Sequence, residues 1–350
     1  MIELDASMGE GGGQVLRYSL ALAAVTEQGI RLSNVRIGRG RPGLQRQHLT
    51  AVRLLAEVTR ADVEGDFLGS TEIKFVPTGI YGGRRSVDVG TAGSLTLILQ
   101  SVLPVLAFAD APSELLLRGG TDVPMSPTYD YFSHVFLGHL HRMSYRVELT
   151  LHRRGHYPRG GGEIIARVPN PGALSPLRAD DRGEVMRVGG RSHATGLPRH
   201  VAERQAEAAA TELRRRLWAP IDIDLEIGDT GPAPGSGIAL WAATEHSVLG
   251  ADALGERGKP AEKVGREAAM ALLEDLSTGA ALDRHSSDMV IPYMMFADGI
   301  SSITGSALTS HARTVVELAR RITPEIEMNL EGNPDGPFRL TVKGRRPSRG

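Results

Sequence analysis

A unit that occurs three times along the chain limits its possible architectures more than any single motif does. Each copy opens with a short loop bearing Gly or Ser. An apolar helix and a strand follow, then a polar loop, a second helix and more extended chain. In the first copy the helix is "GQVLRYSLALAAVTEQ", the strand "RLSNVRIG", the loop "RGRPGLQ" and the second helix "RQHLTAVRLLAEVTR", followed by the extended "DVEGDFLGSTEIKFVPT". Leu49, Val52, Leu55, Ala56 and Val58 recur at close to helical spacing. The second copy starts at "VGTAGSLTLILQSVLPVLAFAD", where Gly93 lies 81 residues after Gly12, each glycine at the front of its helix. It continues through "SELLLRGG", "TDVPMSP", "TYDYFSHVFLGHLHRM" and "YRVELTLHRRG". The third runs from "RHSSDMVIPYMMFADG" through "ISSITGSA" and "LTSHARTVVELARRI" to "EIEMNLEG". Three such copies predict a pseudo-threefold α/β fold of repeated helix–strand units.

Residues between the second and third copies do not fit the unit. The Pro/Gly-rich "VPNPGALSPLRADDRGE" opens them. A strand ("VMRVGGRSHATG"), a helix ("PRHVAERQAEAAATELRRRLW") and a strand ("IDIDLEIG") follow. A glycine-rich hairpin loop ("DTGPAPGSG"), one strand ("IALWAATEHSVLGADALG") and a helix ("AEKVGREAAMALLEDLSTG") complete the segment. The expectation is a small inserted α/β domain at 178–280, within a three-repeat catalytic domain made of 1–177 plus 281–350. A chain of 350 residues, 41% of them hydrophobic, can bury cores for both.

The glycines of "GEGGG", residues 9–13, stand directly before the first helix. Backbone N–H groups at a helix front form an anion site, and glycine lets a phosphate approach them. Gly9, Gly11 and Gln14 fail the dinucleotide pattern G-x-G-x-x-G, and no Gly-Lys-Ser/Thr occurs in the chain. A tight turn remains as good a reading of these glycines alone. Arg17 sits one turn into the helix, Arg36, Arg39 and Arg41 cluster in "VRIGRGRPGLQRQH", and Arg46, Gln47 and His48 begin the next helix. Guanidiniums on loops and helix fronts suit an oligophosphate; a solvated, arginine-rich face is the plainer reading. His311 follows "TGSALTS" at the front of an amphipathic helix and aligns near His48 of the first copy. A helix N-terminus disfavours imidazolium, so this ring is expected neutral and nucleophilic.

Formal net charge is −1, from 40 basic and 41 acidic residues, which excludes a broad basic surface for duplex DNA but not a local basic cleft. Basic charge is mostly arginine, with lysine only at Lys74, Lys259, Lys263 and Lys343. None of these has Asp two positions on, as the lysine nucleophile of common nucleotidyl transferases would. Cysteine is absent, excluding disulfides and thiolate metal sites. "MIELDASMGE" lacks a basic n-region and an apolar h-region, and "SLTLILQSVLPVLAFA" is too short and interrupted to span a bilayer. A soluble, cytoplasmic protein without a membrane partner is expected.

Together "GEGGGQVLRYSLALA", "VRIGRGRPGLQRQHLTA", "VGTAGSLTLILQSVLPVLAFAD", "GGTDVPMSP", "GHYPRGGGE", "GLPRHVAERQ" and "LTSHARTVVE" resemble the RNA 3′-terminal phosphate cyclase family, in order and from Glu3 to "PFRLTVKG". The resemblance implies an EPSP-synthase-like repeated large domain. It also implies ATP-dependent closure of RNA 3′-phosphate ends into 2′,3′-cyclic phosphates through histidine–AMP and RNA-adenylate intermediates. The family histidine matches His311; phosphate-handling residues match Arg17, Arg36, Arg39 and Gln47. Glu10 matches the ligand of a divalent metal, Mg²⁺ or Mn²⁺, and Gly11 and Gly12 stand in the same glycine loop. Gln100 matches a nucleotide contact, and Pro127 and His285 match the walls of an adenine pocket. Ser286, Ser287, Asp288 and Met289 continue the nucleotide-binding run. Two positions depart: the family usually has Gln where Met289 stands, and commonly an aromatic at His285. RNA 3′-phosphate ends are the implied partner. The alternative is a catalytically inactive, cyclase-like RNA-binding or assembly factor. Enolpyruvyl transferases share the architecture but need a lysine-rich phosphate site, and a Walker ATPase needs its lysine.

Overall fold

The computed structural model describes residues 1–169, 172–228 and 231–347. Three of its sheets share one connectivity. In the first, β1 (Ile2–Asp5), α1 (Gly13–Val25), β2 (Ile30–Ser33), α2 (Arg46–Thr59), β3 (Asp62–Glu64) and β4 (Ile73–Val76) follow in sequence. The strands lie in the order β1-β2-β4-β3, β1 parallel to β2 and the other pairs antiparallel. The second repeats this with β5 (Gly83–Asp88), α3 (Leu95–Leu106), β6 (Ser113–Gly119), β7 (Glu148–Arg153) and β8 (Gly162–Val168), ordered β5-β6-β8-β7. Its second helix is broken into α4 (Tyr129–Tyr131), a π-helical turn at Phe132–Phe136 and α5 (Leu137–Arg142).

The third copy begins with β9 (Arg178–Ala179), and the chain then leaves to build a fourth sheet. That sheet comprises β10 (Val185–Thr195), β11 (Ile221–Gly228), β12 (Gly235–Thr244) and β13 (Val248–Leu254), ordered β11-β10-β12-β13 and packed with α6 (His200–Arg214) and α7 (Ala261–Ser277). The third copy resumes with α8 (Ser286–Met289), α9 (Ile291–Phe296), β14 (Gly299–Gly305), α10 (Ser310–Ile322), β15 (Glu327–Gly332) and β16 (Phe338–Gly344). Its sheet, β9-β14-β16-β15, has the same parallel and antiparallel pairs as the first two. The fold is therefore α/β with pseudo-threefold repetition, interrupted between the first strand and first helix of the third copy.

Burial follows from the helix patterns. Every residue of α1 from Gln14 to Val25 is buried, as is all of α9 and all of α3 except Leu97. Helices apolar on all sides belong inside a domain. The second helices, α2 and α10, bury one face each, α10 through Ala312, Val315, Val316, Leu318, Ala319 and Ile322. One continuous core joins the three copies, while the fourth sheet has a smaller one around Val188, Leu213, Ile238, Leu240, Ala268 and Leu272.

The structure departs from the sequence reading in particular places. β1 and β5 precede their helices and were not expected; β1 has only four residues, and β5 (GRRSVD) carries Val87 as its one apolar residue. The strand expected over 238–255 is a hairpin, turned where Thr244 Oγ1 accepts the Ser247 N–H. The loop "DTGPAPGSG" does not make a hairpin, because β10 lies between β11 and β12; Asp229 and Thr230 of that loop, like Asn170 and Pro171, lie outside the described residues. Pro292 in the first turn of α9 separates it from α8. Arg178 and Ala179, expected in the insertion, pair with β14. Among the described residues no helix is long and apolar enough to cross a membrane.

Truncating the core should be costly and truncating the surface should not. Leu99→Ala, at a fully buried position in α3, is expected to lower unfolding free energy by about 2–5 kcal/mol. Leu68→Ala, at a half-exposed position, should stay within about 0.5 kcal/mol. Denaturant unfolding of both variants checks this, and equal losses would contradict the assigned core.

Candidate active site

One cleft of about 430 Å³ gathers Glu10, Gly12, Gly13, Gln14, Arg17, Arg36, Arg39, Gln47, His48, Ser94, Leu97, Pro124, Met125 and His311 among its lining residues. Four helices contribute their first turns: α1 from Gly13, α2 with Gln47 and His48, α3 with its N-cap Ser94, and α10 with His311. Helix N-termini present unpaired N–H groups and positive potential, so their convergence favours an anion. Gly12 caps α1 with no side-chain hydrogen bond, leaving its first N–H groups free of a capping side chain.

The glycines allow this packing. Gly9 and Gly11 have φ of +58° and +56°, a left-handed conformation favouring glycine. A Cβ at Gly9 would collide with Thr314 of α10, so the loop docks directly on the helix carrying His311. At Gly12 a Cβ would lie 2.8 Å from Arg39 Nη2; at Gly13 it would lie 2.5 Å from His48 Nε2 and 3.1 Å from Arg17 Nη1. Guanidinium and imidazole groups thus lie against bare backbone.

Charge is arranged unevenly around the cleft. Arg17 is 9% exposed, and its buried Nε has no hydrogen-bond partner among the described residues. Burial leaves its guanidinium less basic than usual, partly offset by Tyr18 and Asp288, but still cationic. Among the described residues neither Arg17 nor Arg36 has a carboxylate within ion-pair distance, whereas Arg39 Nη2 lies 3.6 Å from Glu10 Oε2. Arg36 Nη1 donates to the carbonyls of Arg41 and Gly43, bracing the loop. Burial, reinforced by Arg36 and Arg17, pushes His48 down to about 3, so its ring is neutral. Its Nδ1 accepts the Gln45 N–H at 3.2 Å in a capping arrangement, which puts the ring proton on Nε2, beside Gly13.

His311 is the second residue of α10, with 48% of its side chain exposed. Its Nε2 lies 3.1 Å from Glu10 Oε2, while the Ser310 hydroxyl donates to Glu10 Oε1. The Ser310 hydrogen bond, then His311 and Arg39, hold the Glu10 carboxyl below the usual range against the effect of partial burial. Gln14 Nε2 donates to Asp288 Oδ2 at 3.0 Å and to the His311 carbonyl at 3.3 Å, tying α1 to α8 and α10. Gln47 Oε1 accepts the Ser94 N–H at 2.8 Å, tying α2 to α3.

Of the residues singled out in the sequence, Glu10, Gly12, Arg17, Arg36, Arg39, Gln47 and His311 therefore share the cleft, and Gly11 lies beside it in the glycine loop. Asp288 is buried behind it under Gln14. Gln100 is buried in α3. Pro127 accepts from Thr96 Oγ1 through its carbonyl. The next residue, Thr128, donates its N–H to Asp252, whose carboxyl interacts with the exposed His285. Ser286 spends its hydroxyl on Asp283, Ser287 is buried, and Met289 packs in the apolar core. The sequence reading missed Gln14 and Ser310. Gln14 directly follows the glycines and Ser310 directly precedes His311, but their contacts link residues some 300 positions apart.

Comparison with known proteins adds a separate line of evidence. A family model described as RTC, RNA 3′-terminal phosphate cyclase, matches residues 8–328. Proteins named RNA 3′-terminal phosphate cyclase are 53% identical in Hyperthermus butylicus (98% of both chains) and 52% identical in Ignicoccus hospitalis (98% of this chain, 99% of that one). The protein of that name in Methanopyrus kandleri is 46% identical over 98% of this chain and 99% of its own. An EPSP synthase from Acinetobacter baumannii covers 99% of this chain and 66% of its own at 11% identity, with a TM-score of 0.32, too distant to carry weight.

Asp288 provides a test of the electrostatics. Burial pushes its carboxyl up from 3.8 to about 6, partly offset by His311, His285 and Arg17. The folded chain therefore holds this proton more tightly than the unfolded chain. Its contribution to stability is complete below about pH 4 and is lost as pH rises through about 6. Asp288→Asn is expected to gain on the order of 2 kcal/mol at pH 8 and nothing at pH 4. Denaturant unfolding at the two pH values reads this, and a pH-independent effect would refute it.

Proposed function

The chain belongs to the RNA 3′-terminal phosphate cyclase family, and from that membership we propose that it converts RNA 3′-phosphate ends to 2′,3′-cyclic phosphates with ATP, through AMP carried on His311. The observation that carries this reading is the convergence of His311, Glu10 and the guanidiniums of Arg17, Arg36 and Arg39 on one cleft.

In the proposed reaction a His311 ring nitrogen attacks the α-phosphorus of ATP. A nitrogen–phosphorus bond forms as the bond to the bridging β-oxygen breaks, and pyrophosphate leaves. Nε2 is the nitrogen directed at Glu10. Attack through it needs the lone pair free, hence the tautomer with its proton on Nδ1, and the Glu10 contact must open first. Arg17 and Arg36, which among the described residues have no carboxylate within ion-pair distance, are assigned to the phosphates together with the α1 N–H groups and Arg39. The neutral His48 offers an Nε2–H donor beside them. Gln47 holds the α3 N-terminus against the cleft.

An oxygen of the RNA 3′-phosphate then attacks the adenylyl phosphorus, and the protonated imidazole leaves. The neighbouring 2′-hydroxyl oxygen next attacks the 3′-phosphorus, gives up its proton to solvent and displaces AMP. Glu10 offers an exposed carboxylate of the hard oxygen type that Mg²⁺ or Mn²⁺ takes alongside substrate phosphates, and such a dication supplies charge neutralisation there. The base is assigned to the edge between Pro127 and His285, with Gln100 and the run 286–289 behind it. Because Met289 is in the core, Ser286 is bonded to Asp283 and Asp288 is buried under Gln14, the direct contact with the base falls to His285. An inactive RNA-binding factor on this fold would show no ATP-dependent end conversion.

His311→Ala is expected to lose cyclisation of a 3′-phosphorylated oligonucleotide by about three orders of magnitude or more, with thermal stability unchanged. Retained cyclisation by the folded variant would remove His311 from the nucleophile role. Arg39→Ala should weaken ATP binding by about tenfold or more while changing stability by less than about 0.5 kcal/mol, because its guanidinium is partly exposed on a loop. Equilibrium ATP titration with unaltered affinity would contradict its assignment.

A further inference from the structure

Away from the cleft, a buried polar cluster joins the second sheet to the fourth. Asp122 and His156 stand just beyond β6 and β7 and bridge to each other, while His193 lies within β10. One ligand atom from each of the three lies within 4.8 Å of the others, and all three residues are buried. His193 is 1% exposed, yet among the described residues neither ring nitrogen has a hydrogen-bond partner. Burying an imidazole without partners is costly unless something supplies them. His156 stacks on it with ring centroids 5.4 Å apart, and its Nε2 has only a 3.4 Å contact to Thr195 Oγ1.

The facing strand is cut back at the same two places. Gly237 of β12 pairs with His193 and Gly235 pairs with Thr195. A Cβ at Gly237 would lie 2.9 Å from His193 Cε1, and one at Gly235 would overlap the His156 ring. Both imidazoles thus occupy a cradle that side chains would fill. Burial, with Arg154 adding to it at His193, keeps both rings neutral with a lone pair available.

Asp122 is ionised, since Arg154 Nη1 lies 3.1 Å from it and overrides the effect of burial. Thr121 Oγ1 also donates to it at 2.6 Å, fixing its orientation as an outer partner would fix a metal ligand. A carboxylate has about four acceptor positions, so capacity remains. Arg154 further binds Asp130 and Glu226, and Arg191 shares both. Arg191 also pairs with Asp224, so four carboxylates stand against two guanidiniums, an excess of negative charge that a dication would offset.

We propose that Asp122, His156 and His193 form a buried site for a transition-metal dication of the Zn²⁺ class. Two imidazoles and one carboxylate are the donors such ions take, whereas Mg²⁺ prefers oxygens and retains water. The ion would cross-link the second and fourth sheets, so its role is structural and independent of the cyclisation chemistry. Ligand bonds of about 2.0–2.2 Å require the three side chains to draw slightly inward.

The test is a Zn²⁺ titration of the metal-stripped full chain by calorimetry in excess Mg²⁺, which occupies hard oxygen sites such as Glu10. One equivalent should bind with Kd of about 1 µM or tighter, raising Tm. His193→Leu, which removes no hydrogen bond, should fold, bind that equivalent at least about tenfold more weakly and lose the Tm response. Absence of stoichiometric uptake by the wild-type chain, or equal uptake by His193→Leu, overturns the site. Co²⁺ gives a readout needing no variant: intense visible ligand-field bands from low-coordinate, nitrogen-bound Co²⁺ support the site, and a hexa-aqua-like spectrum overturns it.

Discussion

The first turns of four helices meet around one cleft, and that convergence is the constraint on which the rest of the site depends. Each helix front carries unpaired N–H groups, and such fronts brought together without an anion repel one another. Here the guanidiniums of Arg17 and Arg36 add to that positive field; among the described residues neither has a carboxylate within ion-pair distance, and the buried Asp288 balances Arg17 only in part. Glu10 is the acidic side chain lining the cleft, and it is shared among Arg39, Ser310 and His311. Such a site is costly when empty and suited to a polyanion when filled, which is the stability–function conflict expected of a phosphate-transfer centre.

Threefold repetition of one βαβαββ unit makes the convergence possible. It places equivalent helix ends from different copies side by side, and Gln14 and Gln47 clamp the copies together at those ends. The glycine loop closes the arrangement: bare backbone at Gly12 and Gly13 admits Arg39, His48 and Arg17, and Gly9 lets the loop rest on α10. Glu10, Gln14 and Gln47 bond between elements at its rim, which holds the cleft's shape before any substrate arrives.

Much of this was legible in the sequence. Helices α2 and α10 announced themselves by an apolar face and α1 by its apolar run after the glycines, and the arginines by their place on loops and helix fronts. The repeat was visible because Gly12 and Gly93 both precede apolar helices. What escaped was either short or long-range. β1 carries too few residues for a period, β5 has only Val87 to mark one, and the turn at 245–247 contains neither Gly nor Pro. β9 is separated from its partner β14 by the whole insertion. The glycines of residues 9–13 looked equally like a simple turn, because their neighbours Thr314, Arg39 and His48 become neighbours only on folding. Asp122, His156 and His193 were invisible as a group for the same reason.

The account rests on a single imidazole receiving an adenylyl group. The most direct measurement is peptide mapping of the full chain after incubation with ATP and Mg²⁺ in the absence of RNA. An AMP adduct on the peptide holding His311, labile in acid and stable in alkali, is the predicted result. An adduct on His48, a lysine or any other residue, or cyclisation that proceeds with no protein adduct at all, would contradict it.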